Sequence, residues 1–183
     1  MKFAFFTRII LIAALGYFLF SCSSDLDFEQ AKEFNIQPVF TTNLAYIKAD
    51  SSDFIAGGAE SPLLSYTSNV DFLNTSFVED ELVKTEMYFK IKNTINRPFA
   101  FNVSFIDALG KPIYNLRMDV PAATGTEDIV EKTEIFTAAN IDMLKSTAQM
   151  NFSILMLNGT PITGSTLGKI ELSSSITAYF DIK

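Results

Sequence analysis

The 183-residue chain carries 14 basic and 21 acidic residues, no His, no Trp and one Cys, Cys22. Without His, Ser-His-Asp and Cys-His catalysis fall away, as does the commonest metal ligand. The acidic excess argues against nucleic acid, a lone Cys permits no internal disulfide, and the missing Trp weakens any case for a sugar-stacking platform.

The first 21 residues read as a secretion signal. Lys2 and Arg8 make a basic start, and Ile9 to Phe20 (IILIAALGYFLF) is an apolar run of 12 residues. A membrane-spanning helix needs about 20 apolar residues, so this run is too short to serve as one. Small Ser21 and then Cys22 follow, before Ser23, Ser24 and Asp25 end the apolar stretch. The string Leu19-Phe20-Ser21-Cys22 resembles the lipobox of bacterial lipoproteins, with Phe20 bulkier than the usual residue. The resemblance implies cleavage before Cys22 and acylation of its thiol, with palmitate-type chains as the membrane anchor. The alternative is an ordinary signal peptide followed by an accidental Cys. Loss of Lys2 and Arg8 with the signal leaves 12 basic residues against 21 acidic, a net charge of −9.

Residues 22–35 read as an acidic tether. Within it, Ser24-Asp25-Leu26-Asp27 is similar to the export signals of Bacteroidota surface lipoproteins; any tether beside a membrane is also polar. Residues 36–183 are expected to form one domain, long enough to bury a core. Leu44 and Tyr46 share a face of the first strand-like piece. A looser stretch from Asp50 to Asp80 follows, with Gly57-Gly58 as a turn and Leu63-Leu64 and Val70-Asp71-Phe72 as short strands.

From Thr85 to Val120 apolar and polar residues alternate with the period of a half-buried strand. Met87, Phe89 and Ile91 oppose Glu86, Lys90 and Lys92; Phe99, Phe101, Val103 and Phe105 oppose Asn102 and Ser104; Tyr114, Leu116, Met118 and Val120 form a third set. Asn93 to Pro98 (NTINRP) and Asp107 to Gly110 supply the turns, with Gly110 placed for a positive φ. These three pieces are expected to form a hairpin-linked meander. Asn140 to Gln149 reads as a helix capped by Asn140, with Ile141, Leu144 and Ala148 on one face. Phe152, Ile154 and Met156 resume the alternation. Ile170 to Ile182 is the longest strand and is expected to lie centrally.

About eight strands with regular turns and one short crossover helix point to a mainly β, antiparallel, immunoglobulin-like β-sandwich; a barrel gives similar spacing. The rhythm of Asn93, the NTINRP turn, Phe101 to Phe105, Asp107 with Gly110, and Val120-Pro121 before Gly125 is similar to FxLYD-type immunoglobulin-like domains of secreted bacterial proteins. The whole chain also resembles flavobacterial lipoproteins of the cell envelope. Neither resemblance brings catalytic residues.

No catalytic, cofactor or metal site is assigned; Cys22 is the one modification site. Glu79, Asp80 and Glu81, and Glu127, Asp128, Glu131 and Glu134, could act as paired acids or hold Ca²⁺, but charge runs are ordinarily solvated and no D-x-D-x-D-G loop is present. Ser146 beside Lys145 lacks the spacing of a Ser-Lys site. The Phe stripes could line a ligand cavity but at strand spacing read as core. The expected role is a lipid-anchored outer-membrane or surface module, non-enzymatic, with the membrane and an envelope protein as partners. A glycan or hydrophobic-ligand binder, using tyrosines such as Tyr46, Tyr66 or Tyr88, is the alternative, and a carboxylate hydrolase the third.

Overall fold

Period-two alternation dictates the architecture, because a strand with one apolar face must lay that face on another sheet. A computed structural model describes residues 36–182; the signal segment, Cys22 and the tether lie outside the described residues. Ten strands are present: β1 (Val39–Asp50), β2 (Ile55–Ala56), β3 (Ala59–Glu60), β4 (Leu63–Asn69), β5 (Leu82–Asn93), β6 (Phe99–Asp107), β7 (Pro112–Val120), β8 (Asp128–Phe136), β9 (Thr147–Met156) and β10 (Lys169–Phe180). β2 and β3 form a small hairpin turned by Gly57 and Gly58, at φ 60° and 81°. Two successive positive φ values are what a two-residue hairpin turn of right-handed twist demands.

The eight long strands pair in nested, antiparallel fashion: β1 with β10, β4 with β9, β5 with β8, and β6 with β7. This is one long two-stranded ribbon. Folded over, it yields two four-stranded sheets, β1-β10-β5-β8 (sheet I) and β4-β9-β6-β7 (sheet II), stitched by β10 to β5 and β9 to β6. The antiparallel β-sandwich expected from the sequence is therefore present, and its strands are wound as a jelly roll. The long C-terminal strand is central, bonded on both sides, as its length implied.

Four local expectations are corrected. β5 and β6 lie in different sheets, so the meander does not form: the NTINRP turn is a crossover between layers. Tyr46 points outward, whereas the bulge between Asn43 and Ala45 lets Leu44 and Ala45 both pack against the core ahead of Ile47 and Ala49. Inward Ser174 supports that bulge, accepting from Ala45 N–H and donating to Ala45 C=O. The helix after β8 is only Ile141–Lys145. Thr147 already belongs to β9, and Asn140 Oδ1 accepts from Thr137 N–H instead of capping the helix. A second helix, Ser76–Glu81, replaces part of the looser region, and Val70 to Phe72 leads into a 3-10 turn, Asp71–Asn74, rather than a strand.

The inward faces meet in one core. Met87, Phe89 and Ile91 from β5, Phe99, Phe101, Val103 and Phe105 from β6, and Phe152 and Ile154 from β9 are all buried. Each such side chain contributes roughly 1.5–3 kcal/mol through burial. The Phe side chains of β5, β6 and β9 are therefore packed core.

Candidate functional site

The nested pairing sends the connections alternately to the two ends of the sandwich, and the ends differ in chemistry. At one end, here the tip, lie the links β5–β6, β7–β8 and β9–β10 together with the β2–β3 hairpin. Asn93, fully buried, donates through Nδ2 to the carbonyls of Arg97 and Pro121 and accepts the Ile95 N–H on Oδ1. Arg97, 6% exposed, donates from Nε to Leu157 C=O and from Nη1 to the carbonyls of Gly159 and Thr160, both at 2.7 Å. Its Nη2 reaches Glu60 Oε2 at 3.4 Å, and Glu60 Oε1 accepts the Ile162 N–H. One guanidinium thus holds together three chain segments far apart in sequence. Gly168 completes the knot: its φ is +116°, and a Cβ there would stand 2.7 Å from Thr94 C=O.

At the other end, the base, the described chain both begins and finishes. Ile36 and Ile182 exchange backbone hydrogen bonds at 3.1 and 3.0 Å. The links 70–81 and 137–146 also return here. Thr75 Oγ1 accepts from Val78 N–H and so starts the helix Ser76–Glu81. That helix lays Phe77 on Phe180, stacked with ring centroids 4.9 Å apart, while Phe40 meets Phe180 edge-on at 5.8 Å. Beside them Val39, Val83, Lys84 and Tyr179 line a shallow groove of about 360 Å³ that reaches Phe180, with Lys84 Nζ 4.7 Å above the Tyr179 ring. Ile36, Val39, Phe40, Phe72, Phe77 and Val83 are each between 46% and 58% exposed. Apolar side chains scattered singly mean little, but a contiguous cluster marks a contact surface.

A second recess of about 400 Å³ opens at the base between the two short helices. It is polar, and three of its polar side chains are bonded to the chain itself. Lys145 Nζ donates to Glu79 C=O at 2.6 Å, Ser146 Oγ to Asp142 C=O at 2.7 Å, and Asn74 Nδ2 to Thr147 C=O at 2.9 Å. Lys145 and Ser146 form no Ser-Lys couple.

The acidic residues singled out in the sequence are not brought together. Glu79 and its neighbours lie on the base helix, whereas Glu127 and Asp128 lie at the tip, where Glu127 faces Lys92 at 3.8 Å and Asp128 accepts from Thr124 N–H. Glu131 pairs with Lys90 at 2.9 Å on the outer face of sheet I. Glu134 points inward at the sandwich edge, where it accepts from Tyr114 Oη and lies 3.6 Å from Lys132. Burial, reinforced by Glu134, pushes the Tyr114 phenol up to about 12. Among the described residues no group of three or more acidic or Cys side chains is placed to hold a metal ion.

The outer face of sheet I is a lattice of opposite charges, paired along single strands and, at Lys90 and Glu131, across neighbouring ones. Glu171 lies 3.0 Å from Lys169 and accepts from Tyr46 Oη at 2.8 Å; Lys84 lies 2.6 Å from Glu86. The lysine partners hold the carboxyls of Glu86, Glu131 and Glu171 below their ordinary range, and the carboxylates raise Tyr46 and Tyr88. Tyr46 and Tyr88 are thus tied into this lattice. Tyr66, on edge strand β4, is 40% exposed.

Sequence reasoning missed the base cluster because it placed Phe72 in a short strand, while Phe40 and Phe77 follow no strand period it could use. The signal that was present is Phe72 and Phe77 standing among Ser, Thr, Asn and Asp.

No family model and no curated protein matches the chain. Among solved structures, the Gx strain of infectious bursal disease virus is similar over 78% of this chain and 32% of its own, at 11% identity and TM-score 0.43. The bacteriophage CBA120 tailspike protein 4 domain is similar over 80% and 19%, at 10% identity and TM-score 0.35. Desmodium yellow mottle tymovirus is similar over 82% and 83%, at 9% identity and TM-score 0.31. The chain spans about a third of the length of the bursal disease virus chains it matches. Similarity this low carries no function across.

Proposed function

We propose that the chain is a lipid-anchored lipoprotein of the bacterial cell envelope, held in the outer membrane through Cys22, whose sandwich serves as a non-enzymatic binding or structural module. The observation that carries this reading is the order of features along the chain. A basic start, a 12-residue apolar run and Leu19-Phe20-Ser21-Cys22 precede an acidic stretch, and the described residues of the sandwich start 14 positions after Cys22, at Ile36. As the one Cys of the chain, Cys22 has no internal disulfide partner. The dispersal of the carboxylates between the base helix, the tip and the sheet face supports the non-enzymatic half.

One acyl chain holds a protein only marginally, since each buried CH₂ contributes roughly 0.8 kcal/mol; two or three chains hold it stably. Cys22→Ser removes the thiol that would be acylated. The variant is expected in the soluble fraction of lysed cells, while the parent sediments with membranes. Continued sedimentation of the variant would show that something other than acyl chains on Cys22 holds the protein.

A further inference from the structure

We infer that the base of the sandwich is a lipid-contacting face, and that the domain sits with Phe40, Phe72 and Phe77 against the bilayer that holds its own anchor. The inference rests on the lipoprotein reading and adds an orientation to it. Two independent observations converge. First, the exposed side chains Ile36, Val39, Phe40, Phe72, Phe77 and Val83 all belong to segments at one end of the molecule, where Phe40, Phe77, Val39 and Val83 adjoin Phe180. Second, the chain leaves the fold at that same end. Ile36 is bridged to Ile182 at that end, and it stands 14 positions after Cys22. Fully extended, 14 residues reach at most about 50 Å. The base is therefore the surface that the tether keeps nearest the lipid, at an effective concentration that makes even a weak apolar contact count.

The chemistry of the face specifies the lipid. Half-exposed Phe and Val side chains on a rigid frame can seat about 5–10 Å deep at the headgroup–acyl boundary, as the apolar face of an interfacial helix does. Around them stand Asp71, Glu79, Asp80, Glu81 and Asp142, with Lys84 and Lys145 as the nearby cations. An anionic surface repels such a rim, so the fitting partner is a zwitterionic headgroup region. The docking leaves the Arg97 tip pointing away from the membrane, as the end offered to a partner.

The lack of any Trp makes the test direct, because a single introduced Trp is the only indole in the protein. Phe77→Trp and Phe72→Trp place it at the base; Leu167→Trp, in the tip loop and 87% exposed, is the control. Each full-length protein is purified with its acyl chains, checked by intact mass, and reconstituted into phosphatidylcholine vesicles whose acyl chains carry bromine. Quenching of both base indoles several-fold stronger than at Leu167, and weaker when phosphatidylglycerol replaces half the lipid, is the expected result. Acylated protein with equal or absent quenching at the base overturns the docking and leaves the anchor standing. An unmodified Cys22 in the mass spectrum overturns the anchor and the docking together. A blue shift of the base indoles that grows with protein concentration without lipid assigns the face to a second copy and also overturns the docking. Agreement between the two base positions guards against disturbance of the Phe77–Phe180 stack by the substitution.

Discussion

The two ends of this sandwich close the same pair of sheets in opposite ways. The tip is closed by polar groups turned inward: Arg97 and Asn93 between them satisfy five backbone carbonyls that would otherwise be left in a crowded loop layer. The base is closed by aromatic rings turned partly outward, with Phe180 shared between Phe40 and Phe77. Inward polar bonds are directional and fix loops in place. Outward rings leave apolar area in water, which is unfavourable unless something covers it. The same fold thus offers a rigid end and an adhesive end.

The largest expected effect comes from breaking the tip. Arg97→Ala removes a buried guanidinium from three carbonyls and leaves Glu60 without its cation. Removing one partner of such a buried charged network costs about 3–5 kcal/mol, a large share of the roughly 5–15 kcal/mol that holds a domain together. Urea denaturation should show the midpoint falling steeply with the slope unchanged. An unmoved midpoint would mean that the loops hold without the guanidinium.

A smaller effect of opposite sign is expected near the base. Thr85 is fully buried on β5, opposite Ala178 and Phe136, and its Oγ1 lacks a hydrogen-bond partner. A buried hydroxyl without a partner costs roughly 1–3 kcal/mol of desolvation. Thr85→Val keeps the β-branched shape and removes the oxygen. The variant should be more stable by about 1 kcal/mol, read as a higher urea midpoint. Loss of stability instead would mean that the hydroxyl is bonded in solution, and the contrast between a bonded tip and an apolar base would weaken.

Which end is which was only half legible in the sequence. The core faces of β5, β6 and β10 could be read directly, because half-burial forces Met87, Phe89 and Ile91, or Ile170, Leu172 and Ile176, onto alternate positions. Alternation says which face is buried but not which strand lies alongside. The NTINRP segment therefore reads equally as a hairpin or as a crossover between sheets, and only long-range pairing decides. Arg97 illustrates the same limit: one Arg in a turn looks solvated, and its burial depends on Glu60 and on residues 157–160 arriving from elsewhere. Phe77 was hidden because six residues of helix are too few to display a helical period. For the anchor the position is reversed. Cys22 is legible in the sequence and lies outside the described residues.

The charged lattice on sheet I, which spans the distance between the ends, should give the smallest effect, and its dependence on pH is fixed by the direction of the shifts. Glu86, Glu131 and Glu171 have carboxyls lowered below 4.5 by Lys84, Lys90 and Lys169. A lowered carboxyl stabilises the fold above the unfolded value near 4.5, and that contribution is lost as pH falls through the folded value. The same lysines are raised above 10.5 by their carboxylates, so their contribution is complete below 10.5 and is lost as pH rises through the folded value. Tyr114, at about 12 against 10.0, adds to the alkaline loss, because the unfolded chain releases that proton first. Thermal unfolding should therefore show a plateau between about pH 5 and pH 10 with a decline on each side. Because the lattice pairs are solvent-exposed, 0.5 M salt should flatten the acid decline. The Tyr114 part of the alkaline decline should survive salt, because burial is its first cause. A salt-insensitive acid decline would move its origin from the sheet face to buried groups.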